Sequence, residues 1–281
     1  SYTVDVYRGE VRAQRNPIDL ACYVTFFPQL IAGPIVRYKD IAAQLRDRPQ
    51  NLDNLRLGAG RFLVGLGKKV LLAGMFANGA NYGFARAGAL SSVDAVLVML
   101  CYTLQIYFDF SGYCDMAWGM GRMMGVELPV NFDSPYRAVS IQDFWARWHI
   151  TLSRFFRSTV YIPLGGNRHG MAATCRNIMV VFLLSGFWHG AGWGFLIWGG
   201  LHGAAMVLQR LCRGKVSLPR WFGWLLTFVF VNIAWVFFRA DTLGQALALL
   251  GDVFTGGLAM PAAKLASTLP LDAMWQVLYA L

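Results

Sequence analysis

Long uncharged stretches separated by short basic clusters dominate this chain. Residues 221–238 (WFGWLLTFVFVNIAWVFF) contain no Asp, Glu, Lys or Arg, and they are bracketed by Arg220 and Arg239. At ~1.5 Å per residue, a helix over this stretch is about 27 Å long, close to the ~30 Å hydrocarbon core of a bilayer. The pattern therefore predicts a membrane-spanning helix.

A second uncharged run, residues 177–209, carries His189 near its middle in the sequence SGFWHGAGW. One helix over the run would be ~50 Å long, too much for one span, whereas two full spans need ~40 residues, more than the run holds. A bent or re-entrant hairpin is the prediction, with its turn at Gly190, Gly192 and Gly194 and with His189 at that turn. Basic residues flank both ends of the run, which predicts that both ends are cytoplasmic: Arg176 on one side, and Arg210, Arg213, Lys215 and Arg220 on the other.

The remaining apolar stretches are less regular. Prolines or charges interrupt residues 18–36, 61–85 and 94–125, while residues 141–164 alternate aromatic side chains with Arg at roughly helical spacing. The last pattern is typical of an interfacial or re-entrant helix. Irregular backbone persists at membrane depth only where it is buried in protein or lines a water-filled cavity. The sequence therefore predicts an all-α polytopic membrane protein whose broken and re-entrant helices surround a cavity.

Composition excludes a water-soluble protein. The 281 residues are 56% hydrophobic and only 14% charged, whereas soluble domains carry about 25% charged residues. The net charge of +10 could indicate nucleic-acid binding, but the basic residues lie in short clusters between apolar runs, as in cytoplasmic loops. We therefore expect the lipid bilayer, and no nucleic acid, as a partner. Five scattered cysteines without a C-x-x-C motif argue against a disulfide framework or a thiolate zinc site.

The two ends of the chain led to one further expectation. The chain lacks an initiator Met and stops within the apolar stretch 274–281. We expect residues 1–281 to form a single membrane-embedded domain, truncated at both ends.

Histidines are the first candidates for chemistry. Ionisable side chains within a membrane are functional candidates by default, because they are costly there unless they are hydrogen-bonded or face a wet cavity. His189 is the strongest, since Gly186 and Gly190 allow a backbone or a substrate to approach it closely. His149 could line the same cavity or simply anchor an interfacial helix, His202 more resembles a packing residue, and His169 follows a loop signal and is predicted to be solvated.

Charged residues give weaker candidates. Asp109 and Asp115 could form a paired acid–base site, although ion pairing with a neighbouring Arg or backbone amides is the simpler interpretation. The histidines are too widely spaced to define a metal site, so no metal is expected. The arginines between residues 147 and 176 either set membrane topology or form a cytoplasmic docking surface for an anionic donor. The candidate donor-binding residues are Arg147, Arg154 and Arg157.

Six stretches cover most of residues 1–240: VDVYRGE (4–10), FFPQLIAGPIVRYKD (26–40), YFDFSGYCDMAWGMGRMMG (107–125), NFDSPYRAVSIQDFWARWHITLSRFFRSTVYIPLGGNR (131–168), SGFWHGAGWGFLIWGGLHG (185–203) and WVFFRA (235–240). Together, and in this order, they resemble the membrane-bound O-acyltransferases, in particular their alginate O-acetyltransferase branch.

The resemblance implies a helical bundle around a transmembrane tunnel that two histidines mark. They match His149 and His189, and both are expected to be catalytic, with His189 as the general base. The implied donor is acetyl-CoA or another acyl thioester reached from the cytoplasm, with no bound cofactor. The acyl group would cross the bacterial inner membrane to a periplasmic acetyltransferase partner protein, and the final acceptor would be a polysaccharide.

Alternatives stay open from the sequence. His149 could position the acyl carbonyl or hold the His189 ring, and the exopolysaccharide could be alginate-like or cellulose. A second hypothesis makes the chain a non-catalytic membrane scaffold or conduit subunit of a polysaccharide acetylation complex. An ion-coupled transporter using His189 and Asp109 is disfavoured, because the sequence lacks the internal repeats typical of such proteins.

Overall fold

A computed structural model describes residues 1–30, 33–215 and 217–258. Within these ranges the chain is helical, and the only extended pairing is an isolated bridge between Phe132 and Trp148. This confirms the predicted all-α class. The apolar stretch 274–281 lies outside the described residues. In chain order the α-helices are α1 (Tyr2–Tyr7), α2 (Pro17–Val24), α3 (Tyr38–Arg46), α4 (Leu52–Gly67), α5 (Gly74–Phe84), α6 (Ser92–Met123), α7 (Ile141–Arg147), α8 (Ile150–Phe156), α9 (Gly170–His189), α10 (Trp193–Cys212), α11 (Arg220–Arg239) and α12 (Leu243–Thr255).

Four helical segments are long and apolar enough to cross a membrane. One of them is α11, which confirms the span predicted at residues 221–238. Another is Leu52–Phe84, in which α4 and α5 are joined by a π-helical turn, Lys68–Ala73. The remaining two are α6 and α9. The chain is therefore a polytopic membrane protein.

Helix α6 is unbroken over 32 residues although charges interrupt its sequence. Asp115 accepts hydrogen bonds from Arg61 (2.9 Å) and Lys68 (2.7 Å), and Asp109 pairs with Lys69. These cations lie on α4 and on the π-helical turn, directly against α6. The simpler interpretation of the two acids, ion pairing, is confirmed, and pairing allows the charges to remain within a continuous helix.

The hairpin around His189 reaches farther than predicted. Helices α9 and α10 hold 20 residues each, so each is about 30 Å long, and α9 is also apolar enough to cross a membrane. The predicted hairpin is present, with residues 190–192 as the break between its two helices. The helices continue beyond the uncharged run and take in Arg176 and Arg210, whose long side chains can extend toward the membrane surface. His189 is the last residue of α9 and thus lies at the turn, as expected.

Glycines bring α9 and α10 into backbone contact below this turn. A Cβ added to Gly186 would collide with the carbonyl oxygen of Phe195, and one added to Gly199 would collide with the carbonyl oxygen of Phe182. Small residues at such positions are typical of tightly packed membrane helices. The close approach fixes His189, one turn beyond Gly186, relative to α10.

A second segment, α7 and α8, enters the helical bundle and returns. Near the start of this segment, the backbone N–H of Gln142 donates to the side chain of Gln209, which lies near the end of α10. At its tip, the Trp148 ring lies 5.0 Å from the ring of Trp235. Trp235 is about 22 Å along α11 from Arg220, so the segment runs deep into the bundle. The chain then returns, and the carbonyl oxygen of Leu164 accepts a hydrogen bond from Asn177 near the start of α9. Of the two alternatives predicted for residues 141–164, an interfacial or a re-entrant helix, this path into the bundle and back favours the re-entrant one, with a break at the tip.

Candidate active site

His149 forms the tip of the re-entrant segment between α7 and α8. Its φ of 45° places a non-glycine residue in the left-handed region, a conformation that costs of order 1–3 kcal/mol and persists only where the surroundings enforce it. Backbone bonds on both sides supply that constraint: Asp133 N–H donates to Arg147 (3.0 Å), and Ile150 N–H donates to Asn131 (3.1 Å). The reversal turns the imidazole inward, where it is 4% exposed and packs edge-on against Phe110.

Asn131 fixes the orientation and the tautomer of His149. Its Oδ1 accepts hydrogen bonds from the backbone N–H (3.1 Å) and the hydroxyl (3.0 Å) of Thr151, and it lies 3.2 Å from His149 Nδ1. Because that oxygen is an acceptor, Nδ1 of His149 must carry a proton, and Nε2 of the neutral ring is then an acceptor. The amide nitrogen of Asn131 donates to the sulfur of Cys114 (3.3 Å).

His189 is half-buried at the end of α9 and stands among aromatic rings. The ring centroids of Trp188, Phe238 and Trp198 lie 4.8, 5.2 and 5.3 Å from its own. No described residue forms a hydrogen bond with its ring nitrogens. This imidazole is therefore free to exchange a proton with another molecule.

A chain of ring contacts connects the two histidines: Trp148, next to His149, packs on Trp235, and Trp235 packs on Phe238, which contacts His189. Burial lowers the pKa of His149, and the nearby charge of His189 contributes in the same direction. The hairpin turn and the re-entrant tip thus bring together the two residues matched through the family resemblance. Because a second positive charge is unfavourable there, the pair favours a neutral His149.

His202 lies one helical turn after Trp198 on α10 and is fully buried. Trp145 Nε1–H donates to its Nδ1 (3.2 Å), while its Nε2 has no hydrogen-bond partner among the described residues. It stands in ring contact with Phe182, Phe230 and Trp198. The packing role expected from the sequence is present, but it leaves one polar atom unexplained.

A cavity of about 1020 Å³ lies among α7, α8, α9, α10 and α11. At its inner end are Trp145, Phe182, Ser185 and Phe230. Three of these residues contact His202, and Ser185 lies one turn before His189 on α9. The cavity therefore extends from the predicted cytoplasmic end of the hairpin to the rings that contact His202 and to within one helical turn of His189.

The outer part of the cavity is positively charged. Among the described residues, its charged lining side chains are arginines, and none is acidic. None of them forms an ion pair with a described residue, and the buried Nε of Arg210 lacks a hydrogen-bond partner there. Guanidinium groups match phosphate oxygens in geometry and charge. These mouth arginines are Arg157, Arg210, Arg213 and Arg220.

The other residues singled out in the sequence lie elsewhere. Arg147 pairs with Asp143 at 2.7 Å and with Asp133 at 3.5 Å, and Arg154 is exposed; neither lines the cavity. His169 is exposed, as expected. Of the three arginine candidates, the structure brings Arg157 alone to the cavity.

Sequence reasoning missed the roles of Asn131, Thr151 and Trp198. Asn131 belongs to the stretch NFDSPYR, but nothing in that stretch indicates that its amide meets a histidine eighteen residues later. Arg210, Arg213 and Arg220 were attributed to topology alone. Their spacing around an aromatic hairpin was a signal that could also have indicated an anion site. Among the described residues, no cluster of His, Cys, Asp and Glu could hold a metal ion.

Comparison with known proteins gives consistent matches. Residues 10–243 match the profile of MBOAT, the membrane-bound O-acyltransferase family. A peptidoglycan O-acetyltransferase of Helicobacter pylori is 49% identical over 252 residues, which cover 86% of this chain and 48% of that protein. A probable alginate O-acetylase of Pseudomonas putida is 45% identical over 260 residues, covering 92% of this chain and 53% of the relative.

A more distant match is a teichoic acid D-alanyltransferase of Bacillus subtilis, 29% identical over 215 residues, with 72% of this chain and 54% of the relative covered. The chain spans about half the length of the curated relatives it matches. With a family profile that covers most of its residues, the chain belongs to the membrane-bound O-acyltransferase family.

Proposed function

We propose that this chain carries the catalytic centre of an O-acyltransferase that takes an acetyl group from a cytoplasmic thioester and moves it across the membrane. The observation that carries the proposal is the cavity. Unpaired arginines surround its mouth, and its inner end stops one helical turn from His189. An anionic donor such as acetyl-CoA would bind its phosphates at the mouth and extend its thioester toward the histidines.

His189 acts as the general base in this proposal. It removes the proton of the acceptor hydroxyl as the hydroxyl oxygen bonds to the acyl carbon. The C–S bond then breaks, and the departing thiolate takes the proton from His189. As the base, His189 must be neutral, with the lone pair of one ring nitrogen free to take the proton.

His149 orients His189. The N–H of neutral His149 is directed at Asn131, so this ring has no second N–H for the acyl carbonyl oxygen. In the proposed reaction its Nε2 accepts an N–H from the His189 ring, a bond that is not formed in this structure. Orientation of His189 is therefore favoured over positioning of the carbonyl, the two roles that the sequence left open.

The acceptor is a polysaccharide outside the bacterial inner membrane, reached with a periplasmic acetyltransferase partner protein. The names of the alginate O-acetylase relatives support an exopolysaccharide. Peptidoglycan is the second candidate, because the Helicobacter pylori relative bears that name at 49% identity. The competing hypothesis is a non-catalytic scaffold, in which chemistry occurs on another subunit.

Removal of the base tests the proposal. Cells that carry the full-length gene with His189→Ala are compared with cells that carry His169→Ala, a matched change at an exposed histidine. Polymer-bound acetyl is measured separately in exopolysaccharide and in peptidoglycan, and membrane abundance is measured by immunoblot. Loss of acetyl from one polymer in His189→Ala alone, at normal abundance, is expected and identifies the polymer. Retained acetyl would instead support the scaffold.

A further inference from the structure

The reaction needs a hydrogen-bond donor for the acyl oxygen. As the hydroxyl oxygen adds to the thioester carbon, the π electrons of the C=O bond move to its oxygen, and preorganised N–H groups stabilise the resulting charge. The proton on His149 Nδ1 is directed at Asn131, and His189 must accept a proton as the base. The donors must therefore come from other residues.

His202 offers one such donor. Its Nδ1 accepts the indole N–H of Trp145, so the proton of the neutral ring resides on Nε2. That Nε2–H is buried and has no acceptor among the described residues. The ring contacts Phe182 and Phe230 of the cavity's inner end. It therefore stands directly behind the point that the thioester reaches first.

Trp198 offers a second donor one turn earlier on α10. The residue is 1% exposed, and its Nε1–H also lacks an acceptor among the described residues. Its ring centroid lies 5.3 Å from that of His189 and 5.0 Å from that of His202. Residues four apart on a helix lie on the same face, so both N–H donors belong to one side of α10, between the cavity and the base.

Two buried N–H donors without an acceptor among the described residues lie at this place, and their presence requires a physical reason. A buried polar group without a partner costs about 1–3 kcal/mol, and native proteins contain few of them. Packing alone would not require the indole N–H of Trp198 or the Nε2–H of His202. The third buried indole nearby, that of Trp235, also has no hydrogen-bond partner among the described residues, but its ring does not contact His189.

We propose that Trp198 Nε1–H and His202 Nε2–H bind the carbonyl oxygen of the acyl thioester and stabilise the oxyanion that forms during transfer. This inference rests on the proposed function and adds the groups that stabilise its transition state. Both atoms are covered by neighbouring rings in this structure, so the thioester reaches them when the Phe182 and Phe230 rings at the inner end of the cavity move aside.

Replacement of each N–H donor by a phenyl ring tests the inference, with His202→Phe also measured together with Trp145→Phe so that the Trp145 N–H, which His202 Nδ1 accepts, is not left without an acceptor. Trp198→Phe and His202→Phe are prepared in the full-length protein in membranes, with acetyl-CoA as the donor and release of free thiol as the readout. Loss of one oxyanion donor lowers kcat about 100-fold or more while KM for acetyl-CoA changes little. Trp235→Phe is the matched control, because it removes the same atoms from a buried indole that stacks on Trp198 without contacting His189.

A spectroscopic measurement separates oxygen binding from a structural effect. The His189→Ala protein holds the donor without turnover, so the infrared carbonyl stretch of bound ¹³C-acetyl-CoA can be recorded. Hydrogen bonds lower this frequency. We expect the lowered frequency to return toward the free value when Trp198→Phe or His202→Phe is added, but not when Trp235→Phe is added.

The outcomes distinguish this inference from the proposed function. Thiol release by wild type but not by His189→Ala supports the proposed function. If, in addition, all three Phe variants lose a similar small fraction of kcat and leave the carbonyl frequency unchanged, the two donors are structural and the inference is overturned. If wild type releases no thiol from acetyl-CoA, the proposed acetyl-CoA reaction fails, and this inference fails with it.

Discussion

His149 Nδ1 lies 3.2 Å from Oδ1 of Asn131, an oxygen that also accepts the N–H and the hydroxyl of Thr151. This amide oxygen thus fixes the backbone at the tip of the re-entrant segment and also orients the ring of His149, a candidate catalytic residue. Thr151 in turn accepts the backbone N–H of Ile35 (3.0 Å), which ties the N-terminal region to the same centre. Loss of this oxygen should therefore affect stability and catalysis together.

Asn131→Ala tests that relationship. The change leaves the buried donors of Thr151 and His149 without an acceptor, at about 1–3 kcal/mol for each group. We expect unfolding in detergent at a clearly lower temperature and at least a 10-fold loss of acetyl transfer. Asn54→Ala, which removes one side-chain bond to the Pro49 carbonyl (2.8 Å), is the control and should cost about 1 kcal/mol without loss of transfer. Full transfer by Asn131→Ala would show that His149 does not need this partner.

The contact between α9 and α10 gives a second prediction. In Gly186→Ala the new methyl group meets the carbonyl oxygen of Phe195, so the helices must separate and His189 must move. Overpacking of this kind costs about 1–3 kcal/mol. We expect lower thermal stability and strongly reduced acetyl transfer. Gly200→Ala is the control, since its Cβ would lie 3.9 Å from Leu183, an ordinary contact. Equal activity of the two variants would contradict the proposed tight packing.

The two ion pairs within the membrane should differ in importance. The Asp115 side chain is 12% exposed and bonds to both Arg61 and Lys68, whereas that of Asp109 is 52% exposed and bonds to Lys69 alone. Asp115→Ala leaves two cations without their carboxylate, and removal of one partner of a buried pair costs about 3 kcal/mol.

We expect low abundance and early unfolding for Asp115→Ala, and a change below about 1 kcal/mol for Asp109→Ala. Fluorescence-detected size exclusion after a heating series measures both. Similar melting of the two variants would mean that burial does not decide the contribution of these pairs.

The mouth arginines give a prediction on donor affinity. Arg210→Gln and Arg213→Gln remove charge where the donor phosphates are proposed to bind, and each should raise KM for acetyl-CoA roughly 10-fold, about 1.4 kcal/mol, with kcat unchanged. Arg154→Gln is the control, because this arginine is exposed but does not line the cavity. A KM increase of the same size in all three variants would indicate general charge attraction to the membrane face and not a local site.

Much of the membrane architecture was predictable, because the bilayer imposes a simple rule on sequence. A span must be apolar over about 20 residues, and α11 follows that rule without exception. The hairpin at residues 177–209 was predictable too, but its helices extend beyond the uncharged run. Helix ends near the membrane surface tolerate Arg, so the distance from one charge to the next is shorter than α9 and α10 together.

For the candidate site, the sequence and the tertiary structure determine different features. The sequence by itself determined the all-α membrane class, the placement of His189 at a turn among glycines, and the basic ends of the hairpin, because hydrophobicity, charge and glycine are local properties. Tertiary structure alone decided that Asn131 holds His149 and that Arg210 and Arg213 share a cavity mouth with Arg157. It also decided that the N–H groups of Trp198 and His202 have no partner among the described residues. Each of these features depends on which faces of segments far apart in the sequence pack together, and no local pattern of residues specifies that packing.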